Sequence, residues 1–257
     1  MKRLVFVLGA TSEIGLEYLN YFSKEDHVIA ISRRGVLENK NITSLICDLT
    51  NRDLTKEVIS NIDISKYSNI SVLHFIGSDV FENKSYPKLT GITTINSLVY
   101  NTCVNSFKYP LEIIIDLIKK QRNIGKNINL SLLMLGAISD RYEIPFFISF
   151  RESKNIIRSY ISNLSNGSTW IKGFVLNVST VNTKLTRNYR PYADKAYWLV
   201  PKDVLNGSID KILNQKNKFE EIDIYKFDPN FENDYYSNND KIYKKWIKEM
   251  YNRDWKK

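Results

Sequence analysis

The chain has 257 residues and a formal net charge of +9, with 43% hydrophobic and 25% charged residues. That composition excludes a disordered chain, and no apolar run approaches the roughly 20 residues that a bilayer crossing needs, so a soluble α/β-sized single domain without a transmembrane segment is expected. The lysines and arginines are spread along the chain, which argues against nucleic acid and for an anionic small-molecule partner, a nucleotide cofactor first among them.

The N-terminal basic residues and the apolar run Leu4 to Leu8 have the outline of a signal peptide. The run is short and leads straight into a glycine turn, so it reads as a first strand. Further apolar runs follow at Val28–Ile31, Leu45–Cys47, Val72–Ile76, Leu130–Leu135, Phe174–Val178 and Ile222–Phe227. Helical spacing fills the intervals near 15–24, 53–62, 96–122, 150–164 and 201–215. Strands separated by helices imply crossover connections and a parallel sheet covered on both faces. The expected fold is therefore doubly wound α/β, Rossmann-like, in one domain spanning 1–257.

The polar stretch 228–240 reads as a loop before a terminal helix near 239–252, which carries Ile242, Trp246 and Met250 at intervals of four. Such an amphipathic helix docks on its own domain, contacts another subunit, or lies on an anionic membrane; the first two are expected ahead of the third. Cys47 and Cys103 sit in apolar segments without paired spacing. They predict buried thiols in a reducing, cytoplasmic compartment and neither a disulfide nor a metal site.

The first strand runs into Gly9, a short turn, and Gly15 at the start of a helix. A turn of this kind points free N–H groups and the positive helix end at one spot, which suits a pyrophosphate, although it can also serve only to reverse the chain. The second strand ends in Arg33 and Arg34 with no acidic residue to grip a ribose hydroxyl. Two guanidinium groups there suit a 2′-phosphate, or form an ordinary solvated surface.

Taken together, these motifs resemble the short-chain dehydrogenase/reductase family. LGATSEIG stands for its TGxxxGxG turn, with Leu8 for the threonine and Glu13 for the middle glycine, so that Glu13 must point away if a dinucleotide binds. Asp48 and Leu49 match an Asp-Leu pair after the third strand, Gly77 ends LHFIG in place of NNAG, and Asn105 matches a helix asparagine that holds a water near the catalytic lysine. After the sixth strand Ser179 and Thr180 replace Pro-Gly, while Val181 and Thr183 match residues that meet the nicotinamide amide. The resemblance implies NADP(H), in preference to NAD(H), held by Gly9, Thr11, Ser12, Ile14, Gly15, Arg33, Arg34, Asp48, Leu49, Gly77, Lys154, Val181 and Thr183. It also implies a homo-oligomer, dimer or tetramer, paired through the helices that carry Asn105 and Lys154.

The family's chemistry uses a tyrosine, a lysine four residues later and a serine thirteen residues earlier. Lys154 is present, but Phe150 stands at the tyrosine position and Ala137 at the serine position; a shifted register meets Phe147. Ser139 lies on the same side as Ala137 if the segment stays extended. Asp140, Tyr142 and His74 are other proton sources near the strand ends, more simply read as polar loop residues and a packed strand histidine. Arg187, Arg190 and Lys195, in the segment 184–200 that would cover the substrate, suit a phosphate or carboxylate, or belong to a surface lid. Two functions result: an NADP(H)-dependent oxidoreductase acting on a sugar or other polar carbonyl compound through Lys154, Asn105 and Ser139 with an altered proton source, or a dinucleotide-binding protein that has lost redox chemistry. Non-redox chemistry on the same fold is a third.

Overall fold

A computed structural model of the chain describes residues 3–77, 95–140, 147–231 and 238–254. Seven strands form one parallel sheet in the order β3-β2-β1-β4-β5-β6-β7, with β1 Leu4–Leu8, β2 His27–Ser32, β3 Ile42–Ile46, β4 Asn69–His74, β5 Asn129–Ala137, β6 Ile171–Val178 and β7 Phe219–Ile224. The central strands are near-continuous apolar runs because both faces are covered. Alternation sorts their side chains: Leu4, Phe6 and Leu8 join the core on one face, Val5 and Val7 that on the other.

The α-helices among the described residues are α1 Glu13–Phe22, α2 Arg52–Ser60, α3 Ser97–Tyr100, α4 Ser106–Asn123, α5 Ile148–Asn166, α6 Lys184–Tyr189, α7 Pro201–Leu213 and α8 Asn239–Tyr251. Ile59 of α2, Phe107, Leu111 and Ile114 of α4, and Ile157 and Ile161 of α5 cover the first face. Tyr18 and Phe22 of α1 and Val204 and Ile209 of α7 cover the second. Each such side chain, fully buried, contributes about 1.5–3 kcal/mol relative to exposure.

The expected elements are present, with shifted boundaries at the sheet edges. β7 both starts and ends three residues earlier than the apolar run Ile222–Phe227 predicts, and it stops at Ile224 because Tyr225 and Phe227 belong to a separate cluster beneath α8. The helix expected over 96–122 is interrupted: residues Asn101–Asn105 form a π-helical turn between α3 and α4. Pro110 in α4 lacks the N–H that would bond the Ser106 carbonyl; separately, the Ser106 hydroxyl donates back to the Thr102 carbonyl in the π-helical turn at 2.5 Å.

The terminal helix docks on its own domain. Ile242, Tyr243, Trp246 and Ile247 are buried against Ile138, with Phe147, Tyr225, Phe227 and Phe231 packed around them. Beside this apolar seam Arg190, only 3% exposed, pairs with Glu249 at 2.5 Å, and Lys245 reaches Glu249 at 2.8 Å. The Arg190 guanidinium also lies over Trp246 at 4.4 Å and Trp198 at 5.2 Å from the ring centroids. Cys47 and Cys103 are buried free thiols, and among the described residues no helix is long and apolar enough to cross a membrane.

Candidate functional site

The turn after β1 is shaped by backbone needs that the residue types satisfy. Gly9 has φ +83°, and a Cβ there would meet Ile76 Cγ1 at 2.8 Å; a side chain is excluded both by conformation and by space. The Ser12 hydroxyl caps α1 by accepting the Gly15 N–H at 3.0 Å. A Cβ on Gly15 would lie 2.6 Å from the Gly9 carbonyl oxygen, so the second glycine lets the helix start close against the turn. Glu13, the first residue of α1, leans across the opening: its carboxylate accepts the Lys184 amide N–H and lies 3.1 Å from Arg187 Nη2.

Above this turn, along the carboxyl edge of the sheet, lies a cavity of about 770 Å³, within the range typical of cofactor and small-molecule sites. Of the residues expected to hold a dinucleotide, Thr11, Ser12, Ile14, Arg34, Gly77, Lys154, Val181 and Thr183 line it. Gly9 and Gly15 shape the turn and are not in the wall. Arg33, Asp48, Leu49 and Asn105 are not in it either. Asp48 is held below the usual carboxylate range, first by the Thr50 backbone N–H at 3.0 Å, then by the Thr50 hydroxyl and Arg33, against the opposing cost of its partial burial. Leu49 is in the core, and Asn105 closes the π-helical turn with its amide donating to Asn101 at 2.6 Å.

Lys154, on α5, is 2% exposed; its Nζ donates to the Ile76 carbonyl at 3.3 Å and lies 5.3 Å from the centroid of the Phe150 ring. Among the described residues no carboxylate is in ion-pair contact with it. Phe150 and Ala137 both face the cavity, so the positions where a phenol and a serine hydroxyl are expected present hydrocarbon. Farther along the same wall come Ile138, Phe147 and Trp246, with Phe147 edge-on to Trp246 at 5.4 Å.

The remaining candidate proton donors separate. Strand β5 ends at Ala137 and the backbone turns into a 3₁₀ turn over Ile138–Asp140, so the extended path that would place Ser139 beside Ala137 is not followed; the Ser139 side chain and Tyr142 lie outside the described residues. Asp140 is not a solvated loop residue. It is buried, its Oδ2 accepts the Ala137 N–H at 2.7 Å, and Arg158 Nη2 lies 3.4 Å away. Burial pushes its carboxyl up to about 6 against the opposing pull of Lys154, the Ala137 N–H and Arg158. Arg158 also donates to Asn177, whose amide donates to Glu221 and Asp223, each at 2.9 Å, tying β5, β6 and β7 together at this edge. His74 is a packed strand residue: wholly buried, with Nε2 2.9 Å from the Ser106 hydroxyl, and held neutral by burial and by Lys154.

Solved structures of the same architecture superpose over most of the chain. A short-chain dehydrogenase from Burkholderia cenocepacia in complex with NADP gives a TM-score of 0.67 at 10% identity, covering 93% of this chain and 95% of that one. The 3-ketoacyl-(acyl-carrier-protein) reductase of Brucella melitensis complexed with NADH gives 0.66 at 15% identity over 87% and 96%. A variant of ElxO with phenylalanine in place of one tyrosine, with NADPH bound, gives 0.66 at 16% identity over 87% and 97%. The chain has the short-chain dehydrogenase/reductase fold. No protein-family model and no curated protein sequence matches it.

Within this dehydrogenase/reductase fold, the far wall is where sequence reasoning reached least. The segment 184–200 does cover the cavity through α6, and Arg187 lines it. Arg190 lines it too, but its charge is committed to Glu249, while Lys195 is exposed and outside the wall. Trp246 enters from α8, a contribution whose one trace in the sequence is its place at the centre of the apolar stripe.

Proposed function

We propose that the chain binds NADP(H) along the carboxyl edge of its sheet and reduces a carbonyl compound without a tyrosine acid. The observation that carries this is Lys154: a buried ammonium bonded to a carbonyl, with no carboxylate in ion-pair contact among the described residues, facing the cavity beside the glycine turn. Burying such a charge is costly unless its remaining donors find acceptors, and the paired hydroxyls of a ribose are acceptors of the right kind. Arg34 in the wall, with no acidic residue at the end of β2, supports a 2′-phosphate and thus NADP(H). In ElxO, which shares this fold, a variant with phenylalanine in place of one tyrosine still has NADPH bound.

Lys154 would hold the ribose and the turn of Thr11 to Ile14 the diphosphate of a dinucleotide that, when bound, would supply a hydride, while Phe150 and Ala137 would leave the acceptor oxygen to take its proton from water. Loss of a positioned acid lowers the rate by about 10² to 10⁴. The walls formed by Ile138, Phe147, Phe150 and Trp246 favour an acceptor with a flat apolar body over the sugar expected from the sequence. A second reading, dinucleotide binding without redox chemistry, is favoured by the same two residues, Phe150 and Ala137.

Titration of NADPH followed by its fluorescence tests the binding. Saturable binding that weakens by about tenfold or more in Lys154→Met, a loss of charged hydrogen bonds, supports the assignment; no saturation with either pyridine coenzyme rejects it. Consumption of NADPH with aryl ketones or aldehydes then separates the oxidoreductase from the redox-silent binder.

A further inference from the structure

Glu13 ties the two sides of the cleft together. It sits in the turn proposed to face a diphosphate, yet one carboxylate oxygen accepts the Lys184 amide N–H and the other lies 3.1 Å from Arg187 Nη2. Both side chains of this ion pair are 39% exposed, so solvent and incoming anions reach it. The guanidinium is held from its other side as well: Nη1 donates to the carbonyl and side-chain oxygens of Asn182 at 3.2 and 3.0 Å. Arg187 is thereby fixed in place over the cavity, and Glu13 is its removable partner.

An anion approaching the start of α1 meets a carboxylate that already holds a guanidinium of the opposite wall. We propose that Glu13 is an internal competitor for the cofactor: its carboxylate draws α6 across the cleft and occupies the guanidinium and amide that the diphosphate of the dinucleotide engages once Glu13 is displaced. The inference rests on the dinucleotide reading of the cleft. An ion pair this exposed is worth at most a factor of about five in an equilibrium, which a doubly charged diphosphate overcomes. Glu13 also suits its position for a local reason, since a carboxylate in the first turn of a helix is favourable there. The contact therefore tunes affinity without sealing the site.

Two measurements on the full chain test this, using Glu13→Gln to remove the charge and Glu13→Ala to remove the contact. NADPH binding is expected to tighten by about three- to fivefold in both, and to weaken in Arg187→Ala whether or not Glu13 is present. Hydrogen exchange without cofactor is expected to show the Lys184 amide losing protection in Glu13→Ala. Unchanged protection means that Glu13 does not hold α6, and unchanged or weaker NADPH binding in both Glu13 variants means that it does not compete; either result overturns the proposal. If neither the wild type nor any variant binds NADPH while the Lys184 amide loses protection as expected, the dinucleotide reading is what fails, and the competition falls with it. Binding that appears only when Glu13 is replaced supports both.

Discussion

The two ends of the cleft share one sheet edge and differ in what their side chains offer. At the turn end, Ser12, Thr11 and Arg34 present hydroxyls and a guanidinium around a backbone turn shaped by Gly9 and Gly15, and the Lys154 ammonium stands between the two ends, 5.3 Å from the Phe150 ring centroid. At the far end, Ala137, Ile138, Phe147, Phe150 and Trp246 present hydrocarbon. The difference separates two demands on this fold. Holding a dinucleotide draws largely on backbone geometry, which two glycines and a helix start supply. Moving a proton depends on single atoms, and on the proposed reading Phe150 offers none where the resemblance expects a phenol.

The sharpest way to break this contrast is to put the missing atoms back. Phe150→Tyr with Ala137→Ser is expected to raise the rate of carbonyl reduction by about 10² to 10⁴, because Lys154 already lies on the same helix face with its Nζ 5.3 Å from the Phe150 ring centroid. NADPH oxidation with the acceptor that the wild type turns over best measures it. If the double variant binds NADPH as the wild type does and gains no rate, the far end differs from a working centre by more than these two side chains.

The legibility of the molecule from its sequence follows the same divide. The central strands are readable because buried parallel strands leave near-continuous apolar runs, the edge strands β3 and β7 only through a few apolar positions, and the glycine turn because the residue type states the backbone requirement. Boundaries fail where an apolar residue serves another cluster, as Tyr225 and Phe227 do beneath α8. The far end is hidden for a stronger reason: its residues acquire their roles through packing between distant segments. Trp246 reaches the cavity from the terminal helix, and Arg190 meets Glu249 across 59 positions. Asp140, polar and next to a loop, is buried only because Arg158 of α5 and the strand end at Ala137 close around it.

Asp140 gives a second, smaller effect, on stability. Its carboxyl is raised to about 6 in the folded chain, above about 3.9 when unfolded. Between those values the native state binds a proton that the unfolded state has released, so stability falls as pH rises from about 4 to about 6, by up to about 3 kcal/mol. Asp140→Asn, which keeps an oxygen for the Ala137 N–H, is expected to remove that part of the slope. Urea unfolding of both proteins across this range checks it. Parallel curves would mean that Arg158 compensates the buried charge fully, and that the polar layer beneath the apolar wall is a settled ion pair.

The smallest effect tests the turn end. Arg33 and Arg34 are adjacent and both exposed, yet only Arg34 lines the cavity, while Arg33 lies within the field of Asp48. A 2′-phosphate held by Arg34 alone predicts that Arg34→Ala weakens NADPH binding about tenfold, near 1.4 kcal/mol, and leaves NADH binding unchanged, whereas Arg33→Ala changes both little. Equal losses for the two coenzymes in Arg34→Ala would assign the residue to the diphosphate instead. It would then join Arg187 as a second guanidinium that Glu13 has to oppose, and the ranking of NADP(H) over NAD(H) would lose its main support.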